Sequence, residues 1–175
     1  MRKVHDLISA DRQYWQRLRE DWLENEDRDG GLPFLSLFQA PRREREYLMT
    51  PEEHAALAKL PDPATLYRGI TFYPEEPLRH AVGLSWTDDL DIAAYFAHPS
   101  GWRDGLILTA LVPKNRMLAY FKGRGENEVV INPRGILYQK YDTPIEVALE
   151  RAAEGQQRLE DYVDAVLKAE REKRG

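Results

Sequence analysis

The stretch Leu60-Pro61-Asp62-Pro63-Ala64-Thr65-Leu66-Tyr67-Arg68-Gly69-Ile70 divides the chain into two textures. Before it, apolar residues recur at helical spacing. After it come short segments rich in β-branched and aromatic residues. Pro61 and Pro63 cannot continue a helix, because each lacks an amide hydrogen and its ring crowds the preceding turn. The helix they end begins at Thr50-Pro51-Glu52-Glu53, where the threonine can cap, proline suits the first turn and Glu53 can reach back to the cap amide. Further upstream, Val4, Leu7, Ile8, Trp15, Leu18, Trp22 and Leu23 fit one face of an amphipathic helix, which Asp29-Gly30-Gly31 stops. An apolar run over 32–38 and a charged, solvated stretch over 42–46 fill the interval.

Downstream, strands are predicted over 65–70, 84–87, 105–112, 117–120, 126–132 and 135–140. One short helix interrupts them over 89–97, where Ile92, Ala93 and Phe96 share a face. A second capping box, Thr143-Pro144-Ile145-Glu146, opens a long terminal helix toward Lys173. Ile145, Ala148, Leu149, Ala152, Leu159, Val163 and Val166 keep helical period along it, while Gly155 weakens its middle. The reading is one α+β domain, with a helical part over 1–64, a strand-rich core over 65–142 and a C-terminal helix over 143–175.

Composition narrows the function classes. The chain has 175 residues, 42% of them apolar, which suffices for a real core. A net charge of −5 gives no broad electrostatic grip on nucleic acid, although a local basic groove stays open. The absence of cysteine excludes disulfides, thiol catalysis and thiolate metal sites. His5, His54, His80 and His98 form no metal-ligand pattern, so no metal is expected. Met1-Arg2-Lys3-Val4-His5-Asp6 lacks the apolar centre of a secretory signal, and no stretch reaches membrane-spanning length. A cytoplasmic protein is expected, with no membrane partner; delivery by a signal-less route stays open.

Three segments carry chemistry. In Leu66-Tyr67-Arg68-Gly69-Ile70, alternation puts Arg68 on the side of Leu66 and Ile70, so it snorkels at a sheet edge or holds an anion in a cleft. Gly69 would let a ligand approach the backbone. In Gly83-Leu84-Ser85-Trp86-Thr87, Ser85 and Thr87 share a strand face and can orient a neighbour by hydrogen bonds; alternatively Thr87 or Asp88 caps the next helix. In Gly123-Arg124-Gly125-Glu126-Asn127-Glu128, two carboxylates at i and i+2 of a strand share a face. One can stay ionised beside a developing cation while the other handles a proton; a pair of solvent-facing acids is the plain alternative. The loop before them, 120–125, is aromatic, basic and glycine-flanked, suited to closing over a substrate.

The order Arg68 on a strand, Ser85-Trp86-Thr87 before an Ala-x-x-Phe-Ala helix, then Glu126-Asn127-Glu128 opening a strand, resembles the arginine–serine–glutamate class of mono-ADP-ribosyltransferases. Clostridial-toxin-like bacterial toxins and vertebrate ectoenzymes belong to that class. The likeness covers about residues 65–140, and it departs from the class where tryptophan replaces the middle residue of the usual serine–threonine–serine. It implies two small packed sheets forming a cleft for NAD⁺, the co-substrate. Arg68 would hold the phosphates, Gly69 would meet the nicotinamide amide, and Ser85 would position Glu128 beside the ribose cation. Trp86, Thr87 and Phe96 would lie on the cofactor side. Trp102 could stack on nicotinamide, and Arg103 could add a phosphate contact. Glu126 and Phe121 would serve the acceptor, for which a protein arginine is favoured. Transfer to RNA or DNA remains a variant, given Lys122, Arg124 and Arg134, as does hydrolysis of NAD⁺. A non-catalytic module that binds partners through its long helices, for instance a neutralising antitoxin, is the alternative outside enzymology. A bacterial toxin, a phage effector and a defence protein would share these features.

Overall fold

The computed structural model describes residues 9–24, 31–71 and 83–174. Val4, Leu7, Ile8, Asp29, Gly30, His5 and His80 lie outside the described residues. The chain is α+β. Its principal elements are α1 (Ala10–Glu24), α2 (Leu35–Phe38), α3 (Pro51–Lys59), β1 (Ala64–Thr71), β2 (Ser85–Thr87), α4 (Leu90–Ala97), β3 (Gly105–Val112), β4 (Met117–Phe121), β5 (Glu128–Ile131), β6 (Tyr138–Lys140) and α5 (Ile145–Arg174). Among the described residues, no helix is long and apolar enough to cross a membrane.

The strands form one six-stranded sheet in the order β4-β5-β2-β1-β3-β6, with every neighbouring pair antiparallel. This corrects the expectation of two packed sheets. The junction is nonetheless thin. β1 and β3 are in register from Ala64 opposite Val112 to Thr71 opposite Gly105, whereas among the described residues β1 and β2 pair only at Tyr67 opposite Thr87.

Alternation along the strands divides the core. Trp86, Val129 and Ile131 pack with Leu66, Leu108 and Val112, with Ala56 and Leu57 of α3 and Leu60 just after it covering them. Val130, Ala119 and Phe121 turn the other way, onto Trp15, Leu18 and Trp22 of α1 and Leu35 and Phe38 of α2. Ile107 packs under α4 and α5 with Ala93, Ala97, Ala148 and Ala152.

Local chemistry sets the helix boundaries. The Thr50–Glu53 capping box is complete: the Glu53 amide donates to Thr50 Oγ1 at 3.2 Å, and the Thr50 amide donates to Glu53 Oε2 at 2.8 Å. Asp89, rather than Thr87 or Asp88, caps α4, its carboxylate accepting from the amides of Asp91 and Ile92. At α5 the first helical bond runs from the Ala148 amide to the Pro144 carbonyl, so residue 144 takes the cap position that the sequence suggested for Thr143. Glu146 faces Arg103 instead. Gly155 is a contact point and not a weakness: a Cβ there would stand 2.2 Å from the Asp91 carbonyl oxygen, so glycine lets α4 and α5 meet. Arg151, 2.7 Å from Asp91, and Arg158 fasten the crossing through the same carboxylate.

Glu53 joins three segments. Its buried carboxylate receives Arg19 of α1 at 2.5 and 2.9 Å, the Lys122 amide after β4 at 2.9 Å and the Thr50 amide at 2.8 Å. Burial pushes its carboxyl up, but the Arg19 pair and the backbone amides together bring it below its ordinary value of 4.5. A carboxyl lowered on folding adds stability above its unfolded pKa and loses it as pH falls through the folded one. Glu53→Ala should therefore cost about 3 kcal/mol at pH 7, leaving Arg19 and two amides unpaired, and progressively less as pH falls below 4.5 through the folded value, as read by urea unfolding across a pH series.

Candidate functional site

Three adjacent strands, β1, β2 and β5, carry Arg68, Ser85 and Glu128. Arg68 projects on the side of Leu66, in register with Leu108, on the face that carries Trp86 and Val129; Ser85, Thr87 and Glu128 project from the opposite face with Val130, so the sheet does not bring Arg68 and Glu128 onto one face. Its Nη1 donates to the carbonyl oxygen of Ser85 at 2.6 Å. The guanidinium lies directly over Gly83, where a Cβ would stand 2.4 Å from Arg68 Cζ. Gly83 is thus the seat of Arg68, a role invisible to periodicity. Gly69 is explained differently from the sequence expectation. A Cβ there would meet the Ala93 carbonyl oxygen at 2.0 Å and the Ala97 amide at 2.6 Å, so α4 fills the space reserved for a ligand.

Ser85 is in register with Val130, and Thr87 with Glu128. Thr87 therefore stands directly across from the acid, and Ser85 lies diagonally from it at about 7–8 Å. The Thr87 hydroxyl donates to the Glu126 carbonyl oxygen at 2.9 Å and accepts from the Asp89 amide at 3.1 Å. It fixes the approach to β5 and the start of α4 together. Trp86 points away into the core at 3% exposure, its indole nitrogen donating to Gly83 O, so it is no cofactor contact.

Glu128 is 2% exposed. Its Oε2 accepts from the indole nitrogen of Trp22 at 3.0 Å and from Arg124 Nη2 at 3.3 Å. The carboxylate is thus held by α1 and by the loop before β5, in the place where Ser85 was expected to act. Its Oε1 is buried without a hydrogen-bond donor among the described residues. A buried acceptor in that condition costs about 1–3 kcal/mol, more when charged, and a ligand hydroxyl would relieve it.

Glu126 does not share a strand face with Glu128, because β5 begins at Glu128 and Asn127 adopts φ 48° in the left-handed region. The two acids converge instead on one cation: Arg124 Nη2 is 3.1 Å from Glu126 and 3.3 Å from Glu128. Burial pushes the Glu126 carboxyl up, Arg124 partly offsets this and the Glu128 charge adds to it, for a pKa of about 7. Gly125, at φ 77°, makes the turn and leaves no room for a side chain, since a Cβ would stand 2.8 Å from the Tyr162 ring. The Tyr162 hydroxyl donates to the Gly123 carbonyl at 3.0 Å, so α5 props the loop from behind.

Other predicted contacts stand elsewhere. Phe121 is 1% exposed against Phe38 and Arg19, which corrects its assignment to acceptor recognition. Arg103 pairs with Glu146 at 3.6 Å on an exposed surface, apart from the Arg68–Ser85 and Arg124–acid contacts. Trp102 is exposed, and its carbonyl accepts from His98 Nδ1 at 2.9 Å. Phe96 is exposed on α4, its carbonyl bonded by the Thr71 hydroxyl at 2.7 Å. Sequence reasoning placed Trp22 on an apolar stripe and Gly83 at a segment start, and missed the contact of the one with Glu128 and of the other with Arg68. It placed Arg124 in a basic patch, although its position two and four residues before the acids was the available signal of an ion pair.

Chemically, the arrangement offers a carboxylate with one oxygen tethered and the other able to accept. Beside it stands a carboxyl able to gain or lose a proton near neutrality, while the Arg68 guanidinium lies two strands away on the other face of the sheet. Compared with known proteins, the chain matches no family model, no curated protein and no solved structure.

Proposed function

We propose that this chain is an NAD⁺-dependent mono-ADP-ribosyltransferase whose favoured acceptor is a guanidinium. The observation that carries the reading is the state of Glu128, a buried carboxylate with Oε2 held and Oε1 without a donor among the described residues, on the same face as Ser85 of the neighbouring strand. A ribose hydroxyl is a donor of the kind Oε1 needs. The bond from the ribose C1′ to the nicotinamide nitrogen breaks, and the electron pair leaves with nicotinamide. Glu128 places negative charge beside the cation that develops on the ribose, which is where preorganised electrostatics lower a barrier most. Arg68 offers a planar fork suited to the dinucleotide phosphates.

The acceptor follows from the pair of acids. Between Glu126 and Glu128 already sits a guanidinium, that of Arg124. The carboxylates therefore suit a planar cation, and an incoming arginine would compete for the same oxygens. Its nitrogen bonds to C1′ and gives up a proton, which Glu126 can take at neutral pH. Engagement of Arg124 with the acids also removes it from a free basic surface, which favours a protein acceptor over a nucleic acid.

The test is incubation of the purified chain with NAD⁺ labelled in the ADP-ribose, together with protein and RNA. Nicotinamide release and label on protein are expected, and both should fall about 10²-fold or more in Glu128→Gln with the unfolding curve retained. Label that survives protease and follows RNA would refute the protein acceptor, and absence of nicotinamide release would refute the reaction. Gly83→Ala should raise the KM for NAD⁺ as Arg68→Ala does, because its methyl displaces the guanidinium; an unchanged KM would remove Arg68 from the binding of NAD⁺. Transfer should also rise with pH through about 7 as Glu126 loses its proton, and Glu126→Gln should flatten that limb while sparing hydrolysis more than transfer.

A further inference from the structure

We infer that Trp22 is the positioning residue for Glu128, which makes α1 part of the reacting centre; the inference rests on the transferase reading above. The indole nitrogen carries one N–H and no acceptor, so its bond to Glu128 Oε2 at 3.0 Å has a fixed direction and engages one oxygen only. The contact links residues 106 apart in sequence and is buried at both ends, Trp22 being 4% exposed. The ring cannot swing away. Phe34 and Phe38 meet it edge-on at 5.3 and 5.1 Å. α1 itself is clamped by Arg19 on Glu53.

The consequence is an asymmetry in the carboxylate. Trp22 and Arg124 both address Oε2, and no donor among the described residues addresses Oε1. Arg124 is one-third exposed and is shared with Glu126, so it can be displaced by a cationic acceptor. Trp22 cannot. It keeps the carboxylate's rotation fixed with Oε1 presented to the ribose hydroxyl when Arg124 leaves. Ser85, diagonal on β2, has no comparable bond.

Trp22→Phe tests this by removing the N–H and keeping an aromatic ring between Phe34 and Phe38. Trp15→Phe is the control: Trp15 lies in the same helix, is fully buried, and its indole nitrogen donates at 2.6 Å to the carbonyl of Arg43. Steady-state nicotinamide release is measured against NAD⁺ concentration for the full chain and both variants, each corrected for its folded fraction. Trp22→Phe is expected to lower kcat about 10- to 100-fold with KM for NAD⁺ unchanged, the size of effect seen when a supporting hydrogen bond to a site residue is lost. Trp15→Phe should lose comparable stability and keep its kcat. Equal kcat in wild type and Trp22→Phe, a rise in kcat, or parallel losses in the two variants would each overturn the inference while leaving the transferase reading intact. A wild-type chain that releases no nicotinamide would instead refute that reading and, with it, this one. If Trp22→Phe does not fold, β-(3-benzothienyl)alanine at position 22 replaces the N–H with sulfur in a ring of the same shape, with the same expected split.

Discussion

β1 and β2 meet at one register pair, Tyr67 with Thr87, and the centre of the molecule depends on what completes that seam. Backbone ladders hold the neighbouring junctions, with β1 fully paired to β3 and β2 to β5. Here a side chain takes over: the Arg68 guanidinium bonds the Ser85 carbonyl and lies on Gly83, where any larger residue would collide with it. Thr87 finishes the seam by tying β2 to the Glu126 carbonyl and to the start of α4. A guanidinium set between strands brings a fixed positive charge to the middle of a sheet, where an apolar side chain would have filled the gap without cost.

The acids carry the same signature. Glu53 is a buried carboxylate that stabilises the fold, because each segment around it supplies a donor. Glu126 and Glu128 are placed in the opposite condition. Glu126 titrates at about 7, against an ordinary 4.5, so between those values the folded chain retains a proton the unfolded chain has released. Stability contributed by that site therefore falls as pH rises through the interval. Glu128 adds a buried oxygen with no donor. Glu53 is fully satisfied, whereas Glu126 shares its one cation with Glu128 and Glu128 keeps an oxygen without a donor among the described residues.

Much of the fold was legible because it rested on local chemistry. Pro61 and Pro63 marked the change from helix to strand, the Thr50–Glu53 box formed as its spacing required, and the strands emerged within a few residues of where alternation put them. What escaped were features set by contacts distant in sequence. Periodicity assigned Trp22 to an apolar stripe and was right about its burial, but nothing local connects residue 22 with residue 128. Gly155 read as a defect until α4 was seen against it. Trp86 and Phe121 looked like ligand contacts because aromatic residues beside a motif fit either role, and the direction of the side chain decides which. The two acids do not share the strand face that alternation predicted; the turn at Asn127 and the shared Arg124 bring them together instead.

Strand geometry also explains why the N-terminal helix has to take part. In an antiparallel pair, a residue is met squarely by its register partner, and for Glu128 on the β2 side that partner is Thr87. The Thr87 hydroxyl is already committed to the Glu126 carbonyl and the Asp89 amide. On the β4 side the partner is Phe121, which has no polar atom to offer. Neither register partner can orient the carboxylate, so its donors come from outside the ladder: Arg124 from the loop before β5, and a residue of the layer packed above the sheet. α1 is that layer, and Trp22 is the residue in it that reaches. The clamp of Arg19 on Glu53, which looks remote from any chemistry, then sets the position of the helix on which the acid's orientation depends.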